Sequence, residues 1–229
     1  MAEFYPFQWR ENSKEDQERR AKFWTGHTSL AVHSVISTPM ELNMPKAFVE
    51  KNIHKRIWNM ASRPNDIWLV TYPKSGTTMG QELLWQMSTG CTVNSEESKK
   101  PILQRSPFIE FGGLTKGCQC DECAKLPRNT RSHLLDPITH AESLNSPRIL
   151  KSHLPVSMLP PNVLDVAKVV VIARNVKDVC VSFYHHEKLM KQNHAWDPSA
   201  TFEDYVKFFI EGKPGLYGNY WEHLKVCCK

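Results

Sequence analysis

At 229 residues the chain can fold as one sizeable domain with a core of its own. Its 41% hydrophobic and 23% charged residues suit a soluble globular protein. The net charge of +5 is mild, and the pairs Lys99-Lys100 and Arg19-Arg20 are too short to form a nucleic-acid arm.

No run approaches the roughly 18 apolar residues of a membrane span. The first residues, MAEFYPFQWRENSKEDQERR, lack the apolar stretch of a signal peptide. A cytoplasmic protein is expected, with neither nucleic acid nor membrane as a partner. Its seven cysteines then read as thiols.

In chain order, residues 1–40 read as a polar, partly mobile extension with a helix over Glu11 to Trp24. A helix is predicted from Met44 to Ser62, with Phe48, Ile53 and Ile57-Trp58 as its apolar set. After the turn Arg63-Pro64-Asn65-Asp66, Ile67 to Thr71 reads as a buried parallel strand. Ser75 is the expected N-cap of the next helix, and Met79, Leu83, Leu84 and Met87 its apolar face.

Residues 93–147 read as loops and short helices. Cys118, Cys120 and Cys123 lie there, and zinc would need a fourth ligand such as His133 or His140. One cluster without a matched second pair favours free thiols in a loop. Two further strands are predicted, Arg148 to Leu154 and Lys168 to Ala173. Asn175 caps a helix whose face is Val176, Val179, Cys180, Phe183 and Tyr184. Thr201 to Ile210 is another helix, and Lys213-Pro214-Gly215 a loop. Alternating strands and helices argue for an α/β fold with a parallel sheet.

Three places carry chemistry. In Thr71-Tyr72-Pro73-Lys74-Ser75-Gly76-Thr77-Thr78-Met79-Gly80 a strand runs through a glycine turn into a helix start. Free N–H groups, the helix dipole and Lys74 would converge on an anion there, with hydroxyls from Ser75, Thr77 and Thr78. The alternative is an ordinary polar turn. In Lys151-Ser152-His153, residues i and i+2 share a face at a strand's carboxyl end. His153 could serve as a general base, or be a hydrogen-bonded strand-end histidine. Arg174 ends the third strand at the same edge, suited to a phosphate or to a salt bridge with Asp178, and Ser182 follows on the next helix. Phe108, Phe111, Phe183 and Tyr184 read more as core than as a substrate wall. His185-His186 face different ways on a helix and make no metal site.

Taken together, TYPKSGTT, KSHLP and VVVIARNVKDVCVSFYHH resemble the cytosolic sulfotransferases, and RPNDIWLV, RSPFIEF and YGNYWEHL support the resemblance over about residues 55–226. It implies a three-layer, P-loop-like α/β fold with a central parallel sheet flanked by helices, its C-terminal part missing, over residues 41–229. The co-substrate implied is 3′-phosphoadenylyl sulfate, with no metal. Lys74, Ser75, Gly76, Thr77 and Thr78 match the loop holding the 5′-phosphosulfate, with Lys74 on the leaving oxygen. His153 matches the catalytic base, Lys151 the lysine near the sulfonate, and Arg174 and Ser182 the grip on the 3′-phosphate. Phe108 and Phe111 fall where the acceptor pocket is lined, beside Lys151 and His153. Met79 stands where the family usually stacks a Trp on adenine.

The implied reaction moves a sulfonate to a hydroxyl or amine of a small apolar acceptor. The family continues past the position of Lys229 with a basic RKGxxGxW clamp and a dimerisation motif. A weakly active or non-catalytic binding chain is therefore the competing expectation, with a homodimer reserved for a longer form. A P-loop NTPase is disfavoured, because GxxxxGK[ST] and an acidic strand end are both absent.

Overall fold

The computed structural model describes residues 5–21, 23, 32–37, 40–90, 93–114, 132–190, 199–212 and 216–227. Its strands are β1 (Gln8–Glu11), β2 (Val32–Ser37), β3 (Met40–Pro45), β4 (Ile67–Thr71), β5 (Ile149–Ser152) and β6 (Lys168–Ile172). β4, β5 and β6 form a parallel sheet in the order β5-β4-β6. Ile67 pairs with Ile149 on one side and Lys168 on the other. Trp68, Leu69 and Val70 are wholly buried. That explains the unbroken apolar run, since the central strand of a helix-covered sheet has no wet face. β5 and β6 lie on opposite sides of β4, so the carboxyl ends of the three strands meet at a topological switch point, the usual ligand edge of such sheets.

The segment before β5 adds to its edge. Phe108 bridges to Lys151 in parallel sense, Lys151 N–H donates to Pro107 O, and Ile109 N–H donates to Lys151 O. At the opposite end of the sheet, Arg148 ties β5 to Asp66 just before β4, with Nε to Oδ1 at 2.8 Å and an Nη to Oδ2 at 2.5 Å. Both side chains are buried.

The N-terminal region departs from the sequence reading. β1, β2 and β3 form an antiparallel sheet in that order. The predicted N-terminal helix covers Lys14–Ala21, where the Ser13 hydroxyl accepts the Asp16 N–H at 3.1 Å. Phe23 is buried against Tyr205 and Phe208. The helix expected over 44–62 is broken: β3 runs to Pro45, and two short helices follow, Lys46–Glu50 and Ile53–Trp58. Asn52, with φ 53°, separates them by a left-handed turn that a continuous helix does not tolerate. Phe48, Ile53 and Ile57 are buried as expected.

The helix after β4, Thr77–Ser88, buries a different face from the expected one. Met79, Leu83 and Met87 are exposed, whereas Thr77, Gly80, Gln81 and Trp85 are buried. Gly80 makes this possible, because a Cβ there would stand 2.5 Å from Ile172 Cδ1 and 3.1 Å from Leu69 Cδ2. The helix lies down on the sheet along its smallest residue. Gln81 donates to the carbonyl and hydroxyl of Ser106, and Arg105 sits 4.3 Å over the Trp85 ring.

Short helices fill much of residues 93–147, as expected, among them Glu96–Lys99, Ile102–Arg105, Phe111–Leu114, Ser132–Leu135 and Pro137–Ser143. Cys118, Cys120, Cys123 and the loop Lys213-Pro214-Gly215 lie outside the described residues. Helix Val176–Met190 is capped by Asn175, whose Oδ1 accepts the Lys177 N–H at 2.9 Å. Val179, Cys180, Phe183 and Tyr184 form its buried face. A capping box between Thr201 and Asp204 starts helix Phe202–Ile210, and Tyr220–Cys227 ends the described chain. No helix among the described residues is long and apolar enough to cross a membrane.

Candidate active site

The loop after β4 turns on two left-handed residues, Lys74 (φ 68°) and Gly76 (φ 102°). Gly76, not Ser75, is the N-cap. A side-chain cap is not needed if the free N–H groups are reserved for an anion. The first intrahelical bond runs from Gly80 N–H to Gly76 O, leaving the N–H groups of Thr77, Thr78 and Met79 without intrahelical acceptors. Left-handed turns at a helix start gather N–H groups into an anion-binding concavity. Ser75 Oγ is buried and has no hydrogen-bond partner, so one hydroxyl is held ready in the same loop. Thr78 and Met79 are exposed on the first turn.

His153 follows β5 and is buried. Its Nδ1 lies 2.7 Å from Thr71 O and 3.1 Å from Thr71 Oγ1. A carbonyl can only accept, so Nδ1 carries the proton and Nε2 keeps its lone pair. Thr71 Oγ1 lies 2.6 Å from Thr77 Oγ1, which joins the histidine to the helix start. Burial, reinforced by the positive Lys151, holds the imidazole well below its usual range; the Thr71 bond opposes this only in part.

Phe108 lies between the two candidate chemical groups. Its ring stands edge-on to His153 at 5.0 Å, and Lys151 Nζ sits 4.0 Å from its centroid. Lys151 and His153 therefore share a face, as the strand period requires. Burial pushes the Lys151 ammonium down to about 8 against the pull of Glu110, and Lys74 lowers it further. Lys151, itself under the field of Lys74, thus stands near one neutral imidazole, an electrostatic setting suited to an anion. Phe111 is half-buried, its ring 5.8 Å from that of Phe108.

Arg174, past β6, donates to Lys74 O at 3.1 Å and lies 3.8 Å from Asp178. Arg174 is thus fastened to the loop and also faces the acidic neighbour of the salt-bridge alternative. The Tyr220 hydroxyl donates to the Arg174 carbonyl. Ser182 is half-buried on helix Val176–Met190. Among the described residues, no group of three or more His, Cys, Asp or Glu is placed to hold a metal. His140 Nε2 is engaged with Gln104 O at 2.9 Å.

Residues 64–229 match the sulfotransferase domain family. The chain belongs to the sulfotransferase family. It is 33% identical over 172 residues to mouse sulfotransferase 1A1, spanning 75% of this chain and 51% of the relative. Rabbit sulfotransferase 1C2 is 34% identical over 172 residues, 74% of this chain and 50% of that protein. The chain spans about half the length of the curated relatives it matches. Among solved structures, retinol dehydratase in complex with androsterone and the inactive cofactor PAP superposes with a TM-score of 0.77 at 25% identity, covering 97% of this chain and 66% of that one.

Within this sulfotransferase fold, four residues about the site had no role in the sequence reading: Thr71, Glu110, Tyr217 and His223. Glu110 and His223 stand inside RSPFIEF and YGNYWEHL, segments that carried only the resemblance. Each acts through a partner far away in sequence, which local pattern cannot supply.

Proposed function

We propose that the protein transfers a sulfonate from 3′-phosphoadenylyl sulfate to the hydroxyl, or amine, of a small apolar acceptor, with His153 as general base. The observation that carries this reading is the neutral His153, held by its Nδ1–H on Thr71 O beside Lys151 and the anion loop. Ser75, Gly76, Thr77 and Thr78 would hold the 5′-phosphosulfate, and the orphaned Ser75 Oγ fits that task. Arg174 and Ser182 would hold the 3′-phosphate, and the exposed Met79 would lie against adenine. When bound, the donor supplies an activated sulfonate.

His153 Nε2 takes the proton of the acceptor hydroxyl as its oxygen attacks. Lys74 and Lys151 neutralise charge gathering on the leaving oxygen and the sulfonate, in a site dry enough for those charges to count. Two cationic side chains provide this neutralisation, so the reading needs no metal. The rings of Phe108 and Phe111 favour an apolar acceptor, and androsterone in the related solved structure is such a molecule. A small-molecule partner and a cytoplasmic setting complete the reading.

The test incubates the protein with donor and a panel of apolar alcohols and amines, with mass spectrometry of products and calorimetry of 3′,5′-diphosphoadenosine binding. Sulfonated product is expected. Nucleotide binding without product across the panel would favour a non-catalytic binding protein.

A further inference from the structure

β5 ends at Ser152, so sheet pairing does not fix the main chain of His153. Two buried side chains hold it instead. From one side Glu110 Oε1 accepts the His153 N–H at 2.5 Å. From the other, His223 Nε2 lies 2.9 Å from His153 O, and only an N–H can meet a carbonyl there. Glu110 and His223 are both wholly buried. They lie 43 and 70 residues away from His153 in sequence, one before it and one after.

Glu110 is costly where it stands. Its Oε2 is buried without a hydrogen-bond partner, while the Tyr217 hydroxyl reaches Oε1 at 3.4 Å. Burial pushes its carboxyl up to about 7, although the His153 N–H, Lys151 and the Ser152 hydroxyl all favour the charged form. A half-satisfied buried carboxyl weakens a fold that an apolar residue of similar volume would strengthen. Its position beside the base calls for a functional cause.

We propose that Glu110 is a positioning residue for His153: its carboxyl oxygen, opposed by His223, fixes the His153 main chain so that Nδ1–H stays on Thr71 O and Nε2 stays free. The proposal takes over the reading of His153 as the base. It needs an acceptor oxygen at this place rather than a charge, since both a carboxylic acid and an amide keep a carbonyl lone pair. Tyr217, edge-on to the His153 ring at 5.3 Å, closes the remaining side of the imidazole.

The experiment labels the histidines of the full chain with 15N and reads tautomers by long-range 1H–15N correlation, with His153→Ala identifying the His153 signal. Wild type and Glu110→Gln are expected to show His153 as a single Nδ1–H tautomer. Glu110→Met, which fills the volume without a comparable acceptor, is expected to show a mixture of tautomers. Its kcat is expected to fall by about tenfold or more, with diphosphoadenosine affinity held, because a small misplacement of a reacting group is costly. A single Nδ1–H tautomer in Glu110→Met overturns the proposal. If that variant does not fold, His223→Phe loosens the opposite side and carries the same expectation, and an unchanged tautomer there overturns it equally. The spectrum needs no turnover, so it fails independently of the base reading, which His153→Ala with retained activity would remove.

Discussion

The Nδ1–H of His153 donates to the carbonyl of Thr71 at 2.7 Å, joining the end of β5 to the end of β4. The same Thr71 reaches Thr77 through its hydroxyl, so the imidazole and the start of the anion loop share one anchor. A neutral imidazole oriented by its Nδ1–H presents Nε2 as an acceptor over the whole physiological range. His153→Ala is expected to lower kcat by about 10²–10⁴-fold, the usual span of general-base contributions. Diphosphoadenosine affinity, measured by calorimetry, is expected to stay within about twofold, since the loop rather than the base holds the anion. Retained turnover would remove His153 from the base role.

Asp66 and Arg148 form a buried, bidentate pair behind the sheet, where Arg148 also meets the carbonyls of Ala61 and Ala141. Removing one charge leaves the other buried and unpaired. Asp66→Asn is therefore expected to cost about 3–5 kcal/mol of stability, read as a lower urea midpoint at unchanged slope. A change below about 1 kcal/mol would mean that water reaches Arg148.

Met79 is 64% exposed on the first helical turn after the loop. An indole placed there meets no core atom, so Met79→Trp is expected to leave stability unchanged. It is expected to tighten diphosphoadenosine binding by about 1 kcal/mol, near fivefold, from the added aromatic face. Unchanged affinity by calorimetry would remove this position from adenine contact.

The parallel sheet was legible because Ile67–Thr71 and Lys168–Ile172 are short apolar runs, and burial of the central one on both faces writes itself into composition. The candidate site was legible for a related reason: Lys74, His153 and Arg174 all sit just past strand ends, where such folds open. β1–β3 was not legible, since QWRE is a polar strand whose partner lies more than twenty residues away. Nor was the buried face of Thr77–Ser88. Gln81 is buried only because Ser106 receives it, and Gly80 marks a close approach rather than a weakness. Glu110 and His223 are the same case inside the site, polar residues whose meaning lies in a distant main-chain group.

Gly218 has φ +67°, and a Cβ there would collide with the Glu41 carbonyl oxygen. It lies between Tyr217, whose N–H donates to Asn43 O, and Tyr220, which holds Arg174; its own carbonyl accepts from Tyr72 OH at 2.9 Å. Gly218→Ala is expected to destabilise by about 1–3 kcal/mol through strain at this backbone angle and the clash with β3. Nucleotide affinity is expected to fall with it, because Arg174 loses its support. Calorimetric scanning and binding on the same sample would check both. Full stability would mean that the loop and β3 can separate freely.

Glu110 also sets an unusual pH dependence. Its carboxyl rises from 4.5 to about 7 on folding. The folded state then binds the proton more tightly than the unfolded state. The associated stability is fully present below about pH 4.5 and is lost as pH rises through about 7, at most about 3–4 kcal/mol at about 1.4 kcal/mol per unit. His223, lowered to about 4, and His153, held well below its usual range by burial, act in the opposite sense. Their stability is present above 6.5 and is lost as pH falls. In the wild type the carboxyl offsets one of the two histidines between about pH 4.5 and 6.5, so stability is expected to fall there with falling pH at about half the slope the two histidines alone would give. Glu110→Gln removes one trend and leaves the other. The difference in melting temperature, variant minus wild type, is therefore expected to climb with pH across about 4.5 to 7.5, at about 2–4 °C per kcal/mol for a chain of this size. A flat difference would show that Glu110 titrates as an ordinary exposed carboxylate.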